Sequence, residues 1–134
     1  MDKSTLRYFE TLKDLVRNCL DKITFERCNC SPDRSIVEIH GRLKKYDVRL
    51  KEIFTKSERM YSYYALDSGR VCVGFDNYPD RRALRLKYGQ NFAKHLSELI
   101  PHKHGENKIT LELTKIMDAD KFLSHLTKIL PQKG

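Results

Sequence analysis

The stretch ERMYSYYALDSGRVCVGFDN, residues 58–77, decides the fold class of this chain. It reads as two strands, 59 to 66 and 70 to 76, because aromatic and β-branched residues alternate with small or polar ones on either side of Asp67-Ser68-Gly69. That tripeptide is turn chemistry: glycine supplies the positive φ of a tight hairpin, and aspartate hydrogen-bonds nearby backbone. In this register Val71, Val73 and Phe75 face the core.

The same reading extends in both directions. Towards the N-terminus, Val37 and Ile39 alternate with Glu38 and His40, and Tyr46, Val48 and Leu50 alternate with Asp47, Arg49 and Lys51, which predicts two adjacent antiparallel strands. Before them, Leu6, Phe9, Leu12, Val16, Cys19 and Leu20 recur at helical spacing behind Ser4, the expected N-cap. Towards the C-terminus, DRRALRLKYGQNFAKHLSELI at 80–100 places a basic cluster and Gly89 before Phe92, Leu96 and Leu99, and reads as a loop followed by a helix. ITLEL at 109–113 alternates like a short strand, and Asp118 caps a last helix with Phe122, Leu123, Leu126, Ile129 and Leu130 on its apolar face. The expected fold is α+β, a curved antiparallel sheet of about five strands packed by N-terminal and C-terminal helices. The chain, 1–134, reads as one domain, because 134 residues with 40% hydrophobic content suit a single core.

A net charge of +8 and a pI of about 9.4 favour a polyanionic partner, nucleic acid or an acidic protein. The opening MDKSTLRYFETLKDLVRNCL is charged throughout, and no uncharged run approaches membrane-spanning length, so the chain reads as cytoplasmic with no membrane partner. Cys19, Cys28, Cys30 and Cys72 then read as reduced thiols. The Cys28-Asn29-Cys30 spacing is too short for a zinc knuckle, and no second pair follows it. No glycine-rich phosphate loop, G-x-S-x-G elbow or dinucleotide fingerprint is present, which removes P-loop hydrolysis and serine-hydrolase chemistry.

IPHKHGENK at 100–108 carries the chemistry. If residues 102 to 104 are extended, His102 and His104 project to one side with Cα atoms about 7 Å apart and Lys103 points away. Such a pair suits general acid and base roles in phosphodiester cleavage, or two ligands to a metal, and spacing alone separates neither from two solvated histidines in a turn. Asp76 and Asn77 end a strand before Tyr78-Pro79-Asp80-Arg81-Arg82. There Asp76 could orient an imidazole and Asn77 could donate to a phosphate, although Asp-Asn-x-Pro is ordinary turn chemistry too. Arg81 and Arg82 offer guanidinium forks to phosphate oxygens. Tyr61 and Tyr63 share a strand face with Arg59 and suit base stacking, against half-buried sheet packing as the plainer role. His40, His95 and His125 read as structural or solvent-facing.

The order YSYYALDSGRVCVGFDNYPD, then PHKHGENK, then a last short helix, resembles the TumE family, toxin-like proteins of prokaryotic type II toxin-antitoxin modules. The resemblance covers roughly residues 34 to 130. Tyr61 and Tyr63 match the strand tyrosines of that family, Asp76 and Asn77 its Asp-Asn, and Pro101, His102, Lys103 and His104 its histidine run. Gly74 stands where an arginine is expected, Asp80 where a histidine is, and the segment 80–100 is longer than the usual connector. The resemblance implies a growth-inhibiting toxin, a helix-turn-helix antitoxin encoded nearby, and ribonuclease-like action on RNA. The residues then expected in catalysis are His102, His104 and Asp76, without a cofactor or metal. Lys103, Asn77, Arg59, Tyr61, Tyr63, Arg81 and Arg82 are expected to hold RNA. Two other readings stay open: a basic module that binds nucleic acid or antitoxin without catalysis, and a metal-dependent nuclease using Asp76, His102 and His104. A homodimer is compatible with each.

Overall fold

The computed structural model describes residues 3–130. In chain order the elements are α1 (Lys3–Cys19), β1 (Lys22–Cys30), β2 (Ser35–Leu43), β3 (Tyr46–Phe54), β4 (Arg59–Asp67), β5 (Arg70–Asp76), α2 (Arg81–Tyr88), β6 (His102–His104), β7 (Leu111–Leu113) and α3 (Ala119–Ile129). The strands form one seven-stranded sheet in the order β1 to β7, and every neighbouring pair is antiparallel. The α+β class and the flanking terminal helices are as expected, while the sheet has seven strands and not about five. β1 escapes the sequence pattern because a bulge between Ile23 and Phe25 breaks its two-residue period. β6, at three residues, is too short to show alternation.

α1 and α3 cover one face of the sheet. Phe9, Leu12 and Val16 of α1 and Phe122, Leu123 and Leu126 of α3 join Val37, Ile39, Val48, Leu50, Tyr61, Tyr63 and Phe75 in one core. Each such side chain contributes roughly 1.5–3 kcal/mol by leaving water, so this layer fixes which sheet face is dry and which is left polar. Ser4 lies inside α1, which is assigned from Lys3, so the cap position falls outside the described residues. Asp118 does cap α3, accepting from the Lys121 amide at 2.8 Å, although Ile129 is exposed. Ser68 and Gly69, with φ of 52° and 80°, make the expected tight turn between β4 and β5. Val71 does not face the core: the register shifts between Ala65 and Leu66, so Val71 pairs with Leu66 on the polar face and only Val73 and Phe75 remain inside.

The segment 80–100 runs in the opposite order to the expectation. Its basic part is the helix α2, which the Asp80 carboxylate caps by accepting from Ala83 N at 3.0 Å and Gly89 ends at φ 60°. The part containing Phe92 is a 3-10 turn over Gly89–His95. Ala83 and Leu84 pack with Ile100, Tyr88, Phe92 and Leu111 in a second small core at the β6–β7 end of the sheet. Among the described residues, no helix is long and apolar enough to cross a membrane.

Candidate active site

Pairing register brings the site together. On the face opposite α1 and α3, Glu38, Lys51, Ser62, Asp76 and His102 are successive cross-strand partners from β2 to β6. A second row runs through His40, Arg49, Tyr64, Gly74 and His104. Asp76 and His102 are thus neighbours across β5 and β6 although 26 positions apart in the chain. His104 reaches the same carboxylate past Gly74. A Cβ at Gly74 would collide with the Tyr64 ring, so glycine there lets that ring lie flat across the strand.

The cluster is buried: Asp76 is 7% exposed, His104 5% and His102 1%. Nε2 of His102 lies 3.2 Å from Asp76 Oδ1, and Nε2 of His104 lies 3.5 Å from Asp76 Oδ2. The Tyr64 hydroxyl donates to Oδ2 at 2.5 Å and the Tyr78 amide donates to Oδ1 at 3.0 Å. His102 Nδ1–H donates to the Ile100 carbonyl at 2.5 Å, and a carbonyl accepts only. A neutral His102 would therefore turn a lone pair on Nε2 towards a carboxylate oxygen, whereas the imidazolium satisfies both partners. Ile100 is itself held by the backbone, its amide donating to the Asn77 carbonyl at 3.0 Å.

The electrostatics are asymmetric. Burial draws His102 down, but its hydrogen bonds to Asp76 and to the Ile100 carbonyl outweigh this and hold it above the ordinary imidazole value. Burial, then the neighbouring charge of His102, pushes His104 below it. Burial works to raise Asp76, but hydrogen bonds from His102 and Tyr64 hold its carboxyl below the usual range. Burial and the bond to Asp76 raise the Tyr64 hydroxyl, which stays protonated. One carboxylate thus faces an imidazole biased towards its protonated form and another biased towards its neutral form, the asymmetry that acid and base roles need. The Nδ1 of His104 is buried without a hydrogen-bond partner.

The ligand atoms of Asp76, His102 and His104 lie within 4.8 Å of one another. Two imidazoles and one carboxylate suit a divalent transition ion, and the His102 Nδ1–H bond to a carbonyl is how metal-bound histidines are commonly oriented. Among the described residues, these three are the group that could hold one.

The structure unites the three expected catalytic residues but disperses the expected RNA-holding ones. Tyr61 and Tyr63 are 0% exposed, stacked on each other with ring centroids 5.1 Å apart inside the main core, so no base reaches them. Arg59 is drawn into that core, donating to Glu52 Oε2 at 2.9 Å, the Tyr63 hydroxyl at 2.9 Å and the Met117 carbonyl at 2.6 Å. Asn77 ties strands together, accepting from Tyr61 N and donating to the Arg59 carbonyl, both at 2.8 Å. Lys103 pairs with Phe75 and lies over its ring, on the sheet face away from the histidines. Arg82 donates to the carbonyls of Lys108 and Ile109, pinning the loop after β6, while Arg81 is exposed at the start of α2. His40 fits its structural reading in part: its Nε2 lies 3.0 Å from Glu38 on the polar face.

Tyr64 and Asp80 were not expected at the site. Period two places Tyr64 opposite Tyr61 and Tyr63 in facing, which is a signal that was present in YSYY. Asp80 Oδ2, 4.0 Å from His102 Nε2, is brought near only by the α2 turn and has no local signal. The chain matches no family model, no curated protein and no solved structure.

Proposed function

We propose that this chain is the toxin component of a type II toxin-antitoxin module and acts on RNA as a ribonuclease. The carrying observation is the convergence of Asp76, His102 and His104 on the sheet face opposite α1 and α3, two imidazoles sharing one carboxylate. The net charge of +8 and the resemblance of the Asp76-Asn77 and Pro101–His104 segments to the TumE family support the same reading.

The chemistry follows from the protonation asymmetry. Neutral His104 takes the proton of a ribose 2′-hydroxyl as its oxygen attacks the adjacent phosphorus. The bond from phosphorus to the 5′-oxygen breaks, and imidazolium His102 gives its Nε2 proton to that leaving oxygen, so a 2′,3′-cyclic phosphate and a 5′-hydroxyl result. Asp76 orients His102 and stabilises its charge. Both imidazoles are nearly covered, so this chemistry requires the Tyr64 ring beside His104 to turn aside and admit the phosphate. The partner in this reading is a small helix-turn-helix antitoxin, and the compartment is the cytoplasm. The low exposure of the histidines favours one second reading, a basic module that binds nucleic acid or its antitoxin without cleaving anything.

Incubation of total RNA with wild type and with His104→Ala, each with and without chelator, separates these. Cleavage by wild type that survives chelator and is lost in the variant is the expected result. Cleavage abolished by chelator assigns the three residues to a metal instead. An intact, folded wild type that cleaves nothing overturns the ribonuclease reading in favour of the binding module.

A further inference from the structure

The polar sheet face carries an aromatic that the site does not use. Phe25 of β1 is 44% exposed and its ring lies 4.9 Å from that of His40 at an interplanar angle of 40°. Both belong to the row that continues through Arg49 and Tyr64 to His104. A groove of about 280 Å³ occupies the middle of this row, lined by Glu38, His40, Arg49, Lys51, Tyr64 and Lys108 among others, with Phe25 beside its His40 end and His104 next to Tyr64. Tyr64 is common to the groove and to the buried cluster, since its hydroxyl donates to Asp76.

The charge of the groove is positive where it is free. Glu38 is already engaged, by Arg27 at 3.0 Å and by His40 at 3.0 Å. Arg49 and Lys51 make no ion pair with any described residue. Lys108 stands at the far end, with Nζ 5.1 Å from the Tyr64 ring centroid. With strands about 4.8 Å apart, the distance from Phe25 on β1 to the histidines on β6 is roughly 24 Å. An extended polyanion with flat apolar groups complements an exposed ring at one end, unpaired cations along the way and an imidazole pair at the other.

Resting on the ribonuclease reading above, we infer that this groove is a track for single-stranded RNA, in which Phe25 with His40 stacks a base and Arg49, Lys51 and Lys108 hold phosphates. The stacking platform is therefore at the open end of the sheet and not at Tyr61 and Tyr63. A duplex cannot present an unstacked base to Phe25, so the track selects single strands.

The test uses fluorescence anisotropy of a short fluorescein-labelled oligoadenylate with the full His104→Ala chain, and the same oligomer annealed to its complement. Phe25→Ala weakens single-strand binding by roughly five- to a hundredfold, and Phe25→Trp restores it. Joint replacement of Arg49 and Lys51 by alanine lowers the slope of log affinity against log salt by about 1.4, the value for two phosphates no longer neutralised. A Lys121→Ala/Lys128→Ala control on α3, over the opposite face, leaves both unchanged. Equal binding by Phe25→Ala and its parent, a duplex preferred to the single strand, or a control as weak as the groove variant overturns the track. If wild type cleaves RNA and both groove variants keep its KM, the track fails and the ribonuclease reading stands. If wild type cleaves nothing while the groove variants alone lose binding, the track stands and catalysis fails.

Discussion

Replacing Asp76 by asparagine tests the electrostatic logic of the site most directly. Asn keeps the size of the side chain but removes the charge that faces His102, and turns one oxygen into a donor. Asp76 receives bonds from the Tyr64 hydroxyl, the Tyr78 amide and His102. A hydrogen bond to a charged group contributes about 1.5–3 kcal/mol; asparagine can still accept from Tyr78, so two are lost or weakened and the cost is about 3–6 kcal/mol. That is a large part of the 5–15 kcal/mol typical of a domain, yet leaves it folded. Denaturant unfolding at neutral pH measures it, and the NMR titration of His102 reads the cause. With Asp76 gone, burial is the strongest remaining influence on His102, opposed only by the Ile100 carbonyl and Asp80, so its titration moves downward. The pH dependence follows in sign. His102, raised in the folded state, contributes stability that is full below its unfolded value of about 6.5 and is lost as pH rises through its folded value. Asp76, lowered, contributes stability present above about 3.8 and lost as pH falls through its folded value. The gap between wild type and Asp76→Asn is therefore widest between these limits and narrows at both ends. An unchanged His102 titration, or a stability loss below about 1 kcal/mol, refutes the account.

Three further outcomes follow from the packing. Glu52→Ala removes the acceptor of Tyr8 and Arg59 inside the main core and leaves a guanidinium partly buried without its carboxylate; it costs about 3 kcal/mol or more by denaturant unfolding, and a loss under about 1 kcal/mol contradicts the network. Gly74→Ala, whose methyl meets the Tyr64 ring, destabilises by about 1–3 kcal/mol in thermal unfolding, and the cost disappears in a Tyr64→Ala background; persistence there shows that the ring is not what glycine accommodates. Asp80→Ala removes the cap of α2 for about 1 kcal/mol, read as faster hydrogen exchange at the Ala83 amide; unaltered exchange denies the cap.

The hairpin 58–77 was legible because alternation, turn residues and length all agreed there, and Asp118 was legible as a cap for the same reason. What escaped was set by single residues of irregularity. The register shift at Ala65/Leu66 sends Val71 outward, and the bulge after Ile23 conceals a nine-residue strand. The pairing of His102 with His104 was readable from one-residue spacing, and their union with Asp76 was readable as a possibility of chemistry though not of place. Two tyrosines on one face beside Arg59 suggest a stacking surface, but α1 and α3 bury that face, so the plainer packing role holds. Arg59 followed them inward because Glu52, an acidic residue on the core parity of β3, waited there. That odd charge was the sequence signal for an internal ion pair.

The meander has a temporal meaning for a molecule that emerges from the ribosome in order. Each strand from β2 to β5 pairs with the one just made, so short loop closures suffice to bring the strands into register as far as Asp76. The imidazoles lie on β6, after the α2 excursion that separates Asp76 from His102, and β6 gains its outer neighbour only when Leu111–Leu113 arrives. The two imidazoles therefore join the sheet well after Asp76, with only β7 still to come. A nascent chain carries the Asp76 carboxylate long before His102 and His104, and a fragment that stops short of residue 102 lacks both histidines, the Lys108 edge of the groove and the α3 side chains that close the main core.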